Sequence, residues 1–375
     1  MNVARDAYSS FALSLAAAAL LTGCGEGSSH QPDLTVTERL ASSLHGTARG
    51  IEYWYDEAQG GFETLTGISY DALDCASCHV EIGACETCHG DSEEGASQDG
   101  RAGAAPAQSD EDCYGCHGNQ YAEAVIHGLS DYHRDVLGLT CADCHHADEV
   151  HGDGNAYNSL HDPGAMKARC DNTGCHEGVE PNDFHDAHAL AGHPGAEMEC
   201  AACHVRSVVT CYNCHFEYEV QGYGKLAFGQ FKSWKFLLRR DRGDGNPKID
   251  VGNLLTVTYQ GKAFVAVAPY YAHSISKTAI GSCEDCHDNE YVREYDRTGR
   301  IVVASWDEGA GGLVPNLKGS GIIPIPPDWR TSLDFGFATF DEGGLEPPGW
   351  VELEPSEVGM QMLFAEPLEA LPGPR

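Results

Sequence analysis

Methionine is scarce in this sequence. Beyond Met1 there are only Met166, Met198, Met360 and Met362, and the last two lie far along the chain from any cysteine motif. Basic side chains are few as well, 23 Lys plus Arg against 57 Asp plus Glu, leaving a formal charge of −34. That charge repels phosphate backbones and argues against nucleic acid as a partner. It favours cationic partners or metal ions, or else reflects a salty habitat. No apolar run is long enough to span a bilayer as a helix. Nor is more than one cysteine, Cys24, left over once the motifs are counted.

The apolar run FALSLAAAALL follows Arg5 and has the size of a signal-peptide core. It leads into LTGC, ending at Cys24, which resembles a bacterial lipobox. The alternative is a buried helix that happens to end in Gly-Cys. The lipobox makes 1–23 a cleaved leader, Cys24 the lipidated first residue and 24–44 a flexible tether. It predicts an exported lipoprotein with a lipid anchor, at the outer membrane or cell surface, on its periplasmic or exterior face.

The stretch CASCHVEIGACETCHG, 75–90, carries four cysteines and two histidines. Its pattern C-x-x-C-H occurs as Cys75-Cys78-His79, Cys85-Cys88-His89, Cys113-Cys116-His117 and Cys141-Cys144-His145. A wider CDNTGCH gives Cys170-Cys175-His176, and the series ends with Cys200-Cys203-His204, Cys211-Cys214-His215 and Cys283-Cys286-His287. These eight motifs use every one of the 17 cysteines except Cys24. Disulfides impose no histidine after the second cysteine, and zinc asks for four ligands without that order. Covalent haem does require it: two thiols add to the porphyrin vinyl groups and the adjacent histidine reaches the iron. The cofactor expected is therefore eight haem c groups, with His79, His89, His117, His145, His176, His204, His215 and His287 as proximal ligands.

Each iron needs a second axial ligand. His30 lies in the tether and is a poor candidate. The remaining candidates are His45, His127, His133, His146, His151, His161, His185, His188, His193 and His273. With methionine so scarce, bis-histidine ligation and low potentials are expected.

On these motifs the chain resembles multihaem c-type cytochromes of anaerobic metal- and sulfur-respiring bacteria, over about residues 45–287. CDNTGCH resembles the CX4CH sites of the cytochrome c3 group, and so does CADCHH. In that group the second histidine ligates a neighbouring iron, which implies that role for His146. The motif count is also similar to that of octahaem reductases of sulfur and nitrogen compounds.

Motifs between Cys85 and Cys200 start 28, 28, 29 and 30 residues apart, a loose repeat. The pairs starting at Cys75/Cys85 and Cys200/Cys211 are closer and would clamp adjacent haems. Seven motifs within 75–215 leave too little chain for a conventional core. The fold class expected is thus a multihaem cytochrome c, mostly irregular with short helices wrapped round a haem chain over 45–216. A small β-rich C-terminal module, 217–345, would carry the eighth haem, and 346–375 would be a surface tail. The acidic stretch 91–112 reads as a disordered loop. Hairpins are expected across Gln260-Gly261 and across Arg297-Thr298-Gly299, and IIPIPPDW should be extended. Lys232, Lys235, Arg239, Arg240 and Arg242 form the basic cluster, either a dock for an acidic partner or haem propionates, or a solvated strand.

Two functions remain. The first is electron transfer in anaerobic respiration or extracellular electron transfer. Its partners would be other cytochromes, mineral or metal acceptors, or further copies in a filament. The alternative is an octahaem terminal reductase of the tetrathionate, nitrite or hydroxylamine type, which needs a labile axial position. No C-x-x-C-K occurs, though Lys167, Lys225 or Lys277 could serve as a distal lysine. Net charge works against anionic substrates, so the carrier is preferred and no catalytic residue is assigned.

Overall fold

VVTCYNCH, LAFGQFKSWKFLLRR, KIDVGNLLTVTY and KAFVAVAP are rich in β-branched and aromatic residues, many at alternate positions, the composition of strands packed on a core. The computed structural model describes residues 34–47, 49–73, 86–89, 109–172, 174–176, 185, 198–343 and 348–371. In it those segments form β1 (Val208–His215), β2 (Leu226–Arg240), β3 (Lys248–Tyr259) and β4 (Lys262–Pro269). Then come β5 (Ile301–Asp307), β6 (Gly312–Pro315), β7 (Ile322–Pro324), β8 (Leu333–Phe335), β9 (Phe337–Asp341), β10 (Gly349–Leu353) and β11 (Val358–Met362).

Six strands make one mixed sheet in the order β11-β4-β3-β1-β2-β7, and β6-β5-β8 and β10-β9 make two smaller sheets. The large sheet curls because β2 changes partner along its length. From Leu226 to Trp234 it runs antiparallel to β1, and from Phe236 to Arg240 antiparallel to β3. Ser233, at the switch, has φ 69°, a left-handed value that bends the strand. Gly321 closes against this bend: its own φ is 71°, and a Cβ there would lie 2.1 Å from the Ser233 carbonyl oxygen. Trp234, Phe236, Tyr212, Tyr291, Ile301 and Ile323 fill the main core between the sheets.

This architecture overturns the expected fold class. The chain is not a mostly irregular, short-helix wrapping with a small β module appended. The main sheet begins at Val208, three residues before the seventh motif, and reaches Met362, because the first strand runs on through the motif itself. Ahead of Val208 the described residues hold short helices and turns. From Thr35 onward the chain clusters as one compact unit, and β1 lies between β2 and β3 directly before the expected boundary at 216/217. The supposed tail is not free either, since β10 pairs with β9 and β11 with β4.

The Gln260-Gly261 hairpin forms as expected. Tyr259 faces Lys262 across a two-residue turn whose φ values are 49° and 72°. The second expected hairpin is instead the helix Glu290–Thr298 followed by β5. Asn289 caps its N terminus through Val292 N–H, Tyr291 and Val292 are buried, and Gly299 ends it with φ 69°. Part of 91–112 lies outside the described residues, and Asp110–Tyr114 is helical with a capping box from Ser109 to Asp112.

Candidate haem sites

A C-x-x-C-H motif sets its three reactive groups at i, i+3 and i+4, which share one face of a helix. Most described motifs use that geometry. Helices span Glu86–His89, Cys141–Cys144, Cys200–His204 and Glu284–His287, and Cys113 lies in Asp110–Tyr114. Asp110 accepts a hydrogen bond from Cys141 N–H at 2.9 Å and so ties the third motif to the fourth. The thirteen described motif cysteines are all free of disulfides. Cys24, Cys75, Cys78, His79, Cys85, His188 and His193 lie outside the described residues.

Five motif histidines each face a histidine from outside the motifs. Ring centroids are 5.9 Å apart for His89 and His151, 6.0 Å for His117 and His45, and 6.1 Å for His176 and His133. They are 6.2 Å apart for His145 and His273 and 6.3 Å for His204 and His185. A direct N–H···N hydrogen bond of about 2.9 Å, between rings of roughly 1.2 Å radius, would bring centroids to about 5.3 Å. Two metal–nitrogen bonds of about 2 Å put them roughly 6.4 Å apart. The observed spacings lie nearer the second value. Among the described residues no three His, Cys, Asp or Glu side chains converge to hold a metal ion, so each pair offers two ligands. A porphyrin held by the neighbouring cysteines would supply the remaining positions, and the spacing of the pairs fits that group. Val125, Ile126, Val136 and Leu137 stand more than half exposed among these motifs, apolar surface of the kind a macrocycle would cover.

Hydrogen bonds orient several of these rings. His145 shares its Nδ1 with the Glu149 carboxylate, and Glu149 also accepts the Ala168 N–H at 2.7 Å. Burial pushes that carboxylate up, but the His145 hydrogen bond and charge together with the Lys167 and Ala168 N–H groups outweigh it and hold Glu149 below the usual range. His204 Nδ1 lies 3.1 Å from the Ser276 carbonyl oxygen, and His45 bonds the Val150 carbonyl. Fixing Nδ1 at His145 and His204 leaves Nε2 free to ligate a metal. Burial, then the charge of His117, pushes His45 down; burial, then His89, does the same to His151. Burial takes His273 down to about 4. His45, His151 and His273 are thereby biased to the neutral form, the one a metal requires.

The motifs also touch one another. Cys113 and Cys141 share a side-chain hydrogen bond, as do Cys170 and Cys200. Cys144 interacts electrostatically with Cys175, and Cys203 with Cys286 beside Lys235. The third and fourth motifs are thus in contact, as are the fifth and sixth, and the fourth and fifth and the sixth and eighth lie within electrostatic reach of each other.

Other candidates are placed differently. His146 is exposed at the start of the helix Ala147–Val150 and faces no described histidine, so the role implied by the cytochrome c3 resemblance has no partner among the described residues. His161 is caged by Trp54, Phe364 and a stacked Tyr271 at 6.0, 5.6 and 5.5 Å. His127 bonds Gln230, and His287 is buried. Lys167 is engaged by Asp148 and Asp153, Lys277 lies over the Tyr132 ring, and Lys225 is exposed near Cys211 and Cys214.

The basic cluster is not a solvated strand, because its side chains are engaged within the fold. Arg239 pairs with Glu366 and Glu369, Arg240 and Arg242 with Asp250, and Lys232 reaches the His127 carbonyl. Lys235 is buried against two backbone carbonyls. Sequence reasoning missed Glu149 and Gln230 as partners of histidines. A Glu four residues after His145 was the available signal for the first; none existed for the second. Compared with protein-family models, curated proteins and solved structures, the chain matches none.

Proposed function

We propose that this protein is an electron carrier that holds covalent c-type haems, most of them between two histidines. The observation that carries the reading is the set of five facing imidazole pairs at 5.9–6.3 Å, each beside its own cysteine pair. Haem supplies reversible one-electron chemistry, and two protein nitrogens on one iron leave no position for substrate. The chain's part is to attach, orient and space these centres. The hydrogen bonds of Cys113 with Cys141 and of Cys170 with Cys200, and the proximity of Cys144 to Cys175 and of Cys203 to Cys286, support transfer from site to site.

Export and lipidation at Cys24 place the carrier at a cell surface in this reading, with other cytochromes, oxide minerals, soluble metal ions or further copies of itself as partners. No described helix is long and apolar enough to cross a membrane. Intact mass with low-temperature EPR of the oxidised protein tests the proposal. Eight haem additions with nearly all irons low-spin are expected. A polypeptide purified from a host competent for cytochrome c maturation and carrying no haem would end it.

A further inference from the structure

The seventh motif departs from the helical geometry of its neighbours. Cys211, Cys214 and His215 lie on β1, each paired with β2. In a regular strand, residues three apart point to opposite faces. Asn213, at φ 57°, turns the strand, and Cys211 and Cys214 then interact with each other and with Lys225. Cys214 packs with Phe62, Leu65 and Phe264. The next residue stays extended, at φ −88° and ψ 100°, and points the other way. His215 is 6% exposed, its ring 5.7 Å from Tyr218, 6.3 Å from Phe340 and 6.2 Å from Trp350. Trp350 borders the main core, on the opposite side from the Phe62 cluster. The imidazole and its two sulfurs are therefore on opposite faces of one sheet.

His127 lies on the sulfur side. Gln230 sits across from Cys211 in the β1–β2 ladder and so shares its face. The Gln230 amide spans the two groups: Oε1 is 2.9 Å from His127 Nε2, and Nε2 donates to Cys211 Sγ at 3.9 Å. Asn119, from the same segment as His127, approaches Cys211 Sγ to 3.7 Å.

We propose that His127, and not His215, is the protein's axial ligand at the seventh motif. This rests on the haem reading above. His215 is then a packing residue of the core, held by Glu217 at 3.1 Å from its Nδ1, and Gln230 positions the His127 ring on the side of the cysteines. One haem of the set would differ from the rest in axial ligation, and a labile position belongs at this site if the protein has one.

The test compares haem-loaded wild type with His127→Ala, His127→Gln and His215→Gln, the last chosen to keep the buried volume filled. Mass mapping of the 200–225 peptide and low-temperature EPR are the readouts. Expected is a haem on Cys211 and Cys214 in every protein, an EPR spectrum of His215→Gln like wild type, and a changed ligand field for one haem equivalent in both His127 variants. Added imidazole should reverse that change. A one-haem change in His215→Gln, unchanged spectra in both His127 variants, or free thiols at Cys211 and Cys214 would each overturn the assignment. Absence of haem from all motifs would instead remove the proposed function.

Discussion

Replacing Lys235 by methionine probes the join between β2 and the sixth motif. The side chain is 1% exposed, and Nζ donates to the carbonyls of Ala202 and Val205, both at 2.6 Å, closing the C-terminal end of the helix Cys200–His204. Burial pushes its pKa down to about 8, although Cys286, Cys203 and Asp285 oppose the shift. At about 1.4 kcal/mol per unit, the depression from 10.5 costs the folded protein roughly 3 kcal/mol wherever the ammonium is charged in both states. Between pH 8 and 10.5 the unfolded chain holds more protons on this group than the folded one. Its contribution to stability therefore rises with pH through that window. Against the cost stand two charge-assisted hydrogen bonds of roughly 1.5–3 kcal/mol each, and Lys235→Met leaves both carbonyls without this donor. The variant is expected to lose about 1–3 kcal/mol near pH 7. The gap to wild type should widen by about 2 kcal/mol between pH 8 and 10, because only wild type is relieved. Urea unfolding of the haem-loaded proteins at both pH values measures it. A gap that stays constant or narrows would refute the argument.

Three further outcomes follow from the same geometry. Burial, then Arg240 and Arg242, takes His161 down to about 3, so its stabilising share is complete above the unfolded value near 6.5 and is lost as pH falls towards 3. That loss is on the order of 4 kcal/mol, and His161→Phe should flatten the acid limb of an unfolding curve; an unchanged limb contradicts it. Gly321→Ala forces a left-handed φ of 71° and a 2.1 Å contact with the Ser233 carbonyl, for an expected loss of about 3 kcal/mol in urea unfolding; a loss below about 1 kcal/mol would mean the β2 bend yields easily. Glu149→Gln removes the anionic partner of His145 Nδ1 and should raise the potential of one haem in a redox titration; an unchanged or lower potential would dismiss the carboxylate's role.

What the sequence made legible follows the range of each signal. Cysteine spacing is local chemistry, so the motifs could be counted without a fold. The partner of His117 could not be chosen, because His45 reaches it only through tertiary packing. The start of the sheet was hidden by the seventh motif: VVTCYNCH reads as haem chemistry and as a strand at once, and only the second reading explains Tyr212 at the core. The helix Glu290–Thr298 had its signals in Asn289 and the spacing of Tyr291, Val292 and Tyr295. Gly299 ends a helix and begins a hairpin with the same left-handed backbone, so it misled. The basic residues of β2 looked like surface because their acidic partners, Asp250, Glu366 and Glu369, come later in the chain.

On the proposed haem reading, the distances along the chain within each histidine pair would set an order of maturation. His45 precedes His117, and His133 precedes His176, so those two sites have both nitrogens available as soon as their motifs emerge from the N-terminal direction. His145 must wait for His273, which follows β4 in sequence. That site cannot close until the strands ahead of its partner have been made and brought to the motif region. Forming so distant a contact is slow. A chain stalled or truncated before β4 would therefore carry at least one half-ligated centre, reactive towards oxygen and small ligands, whatever the state of the others.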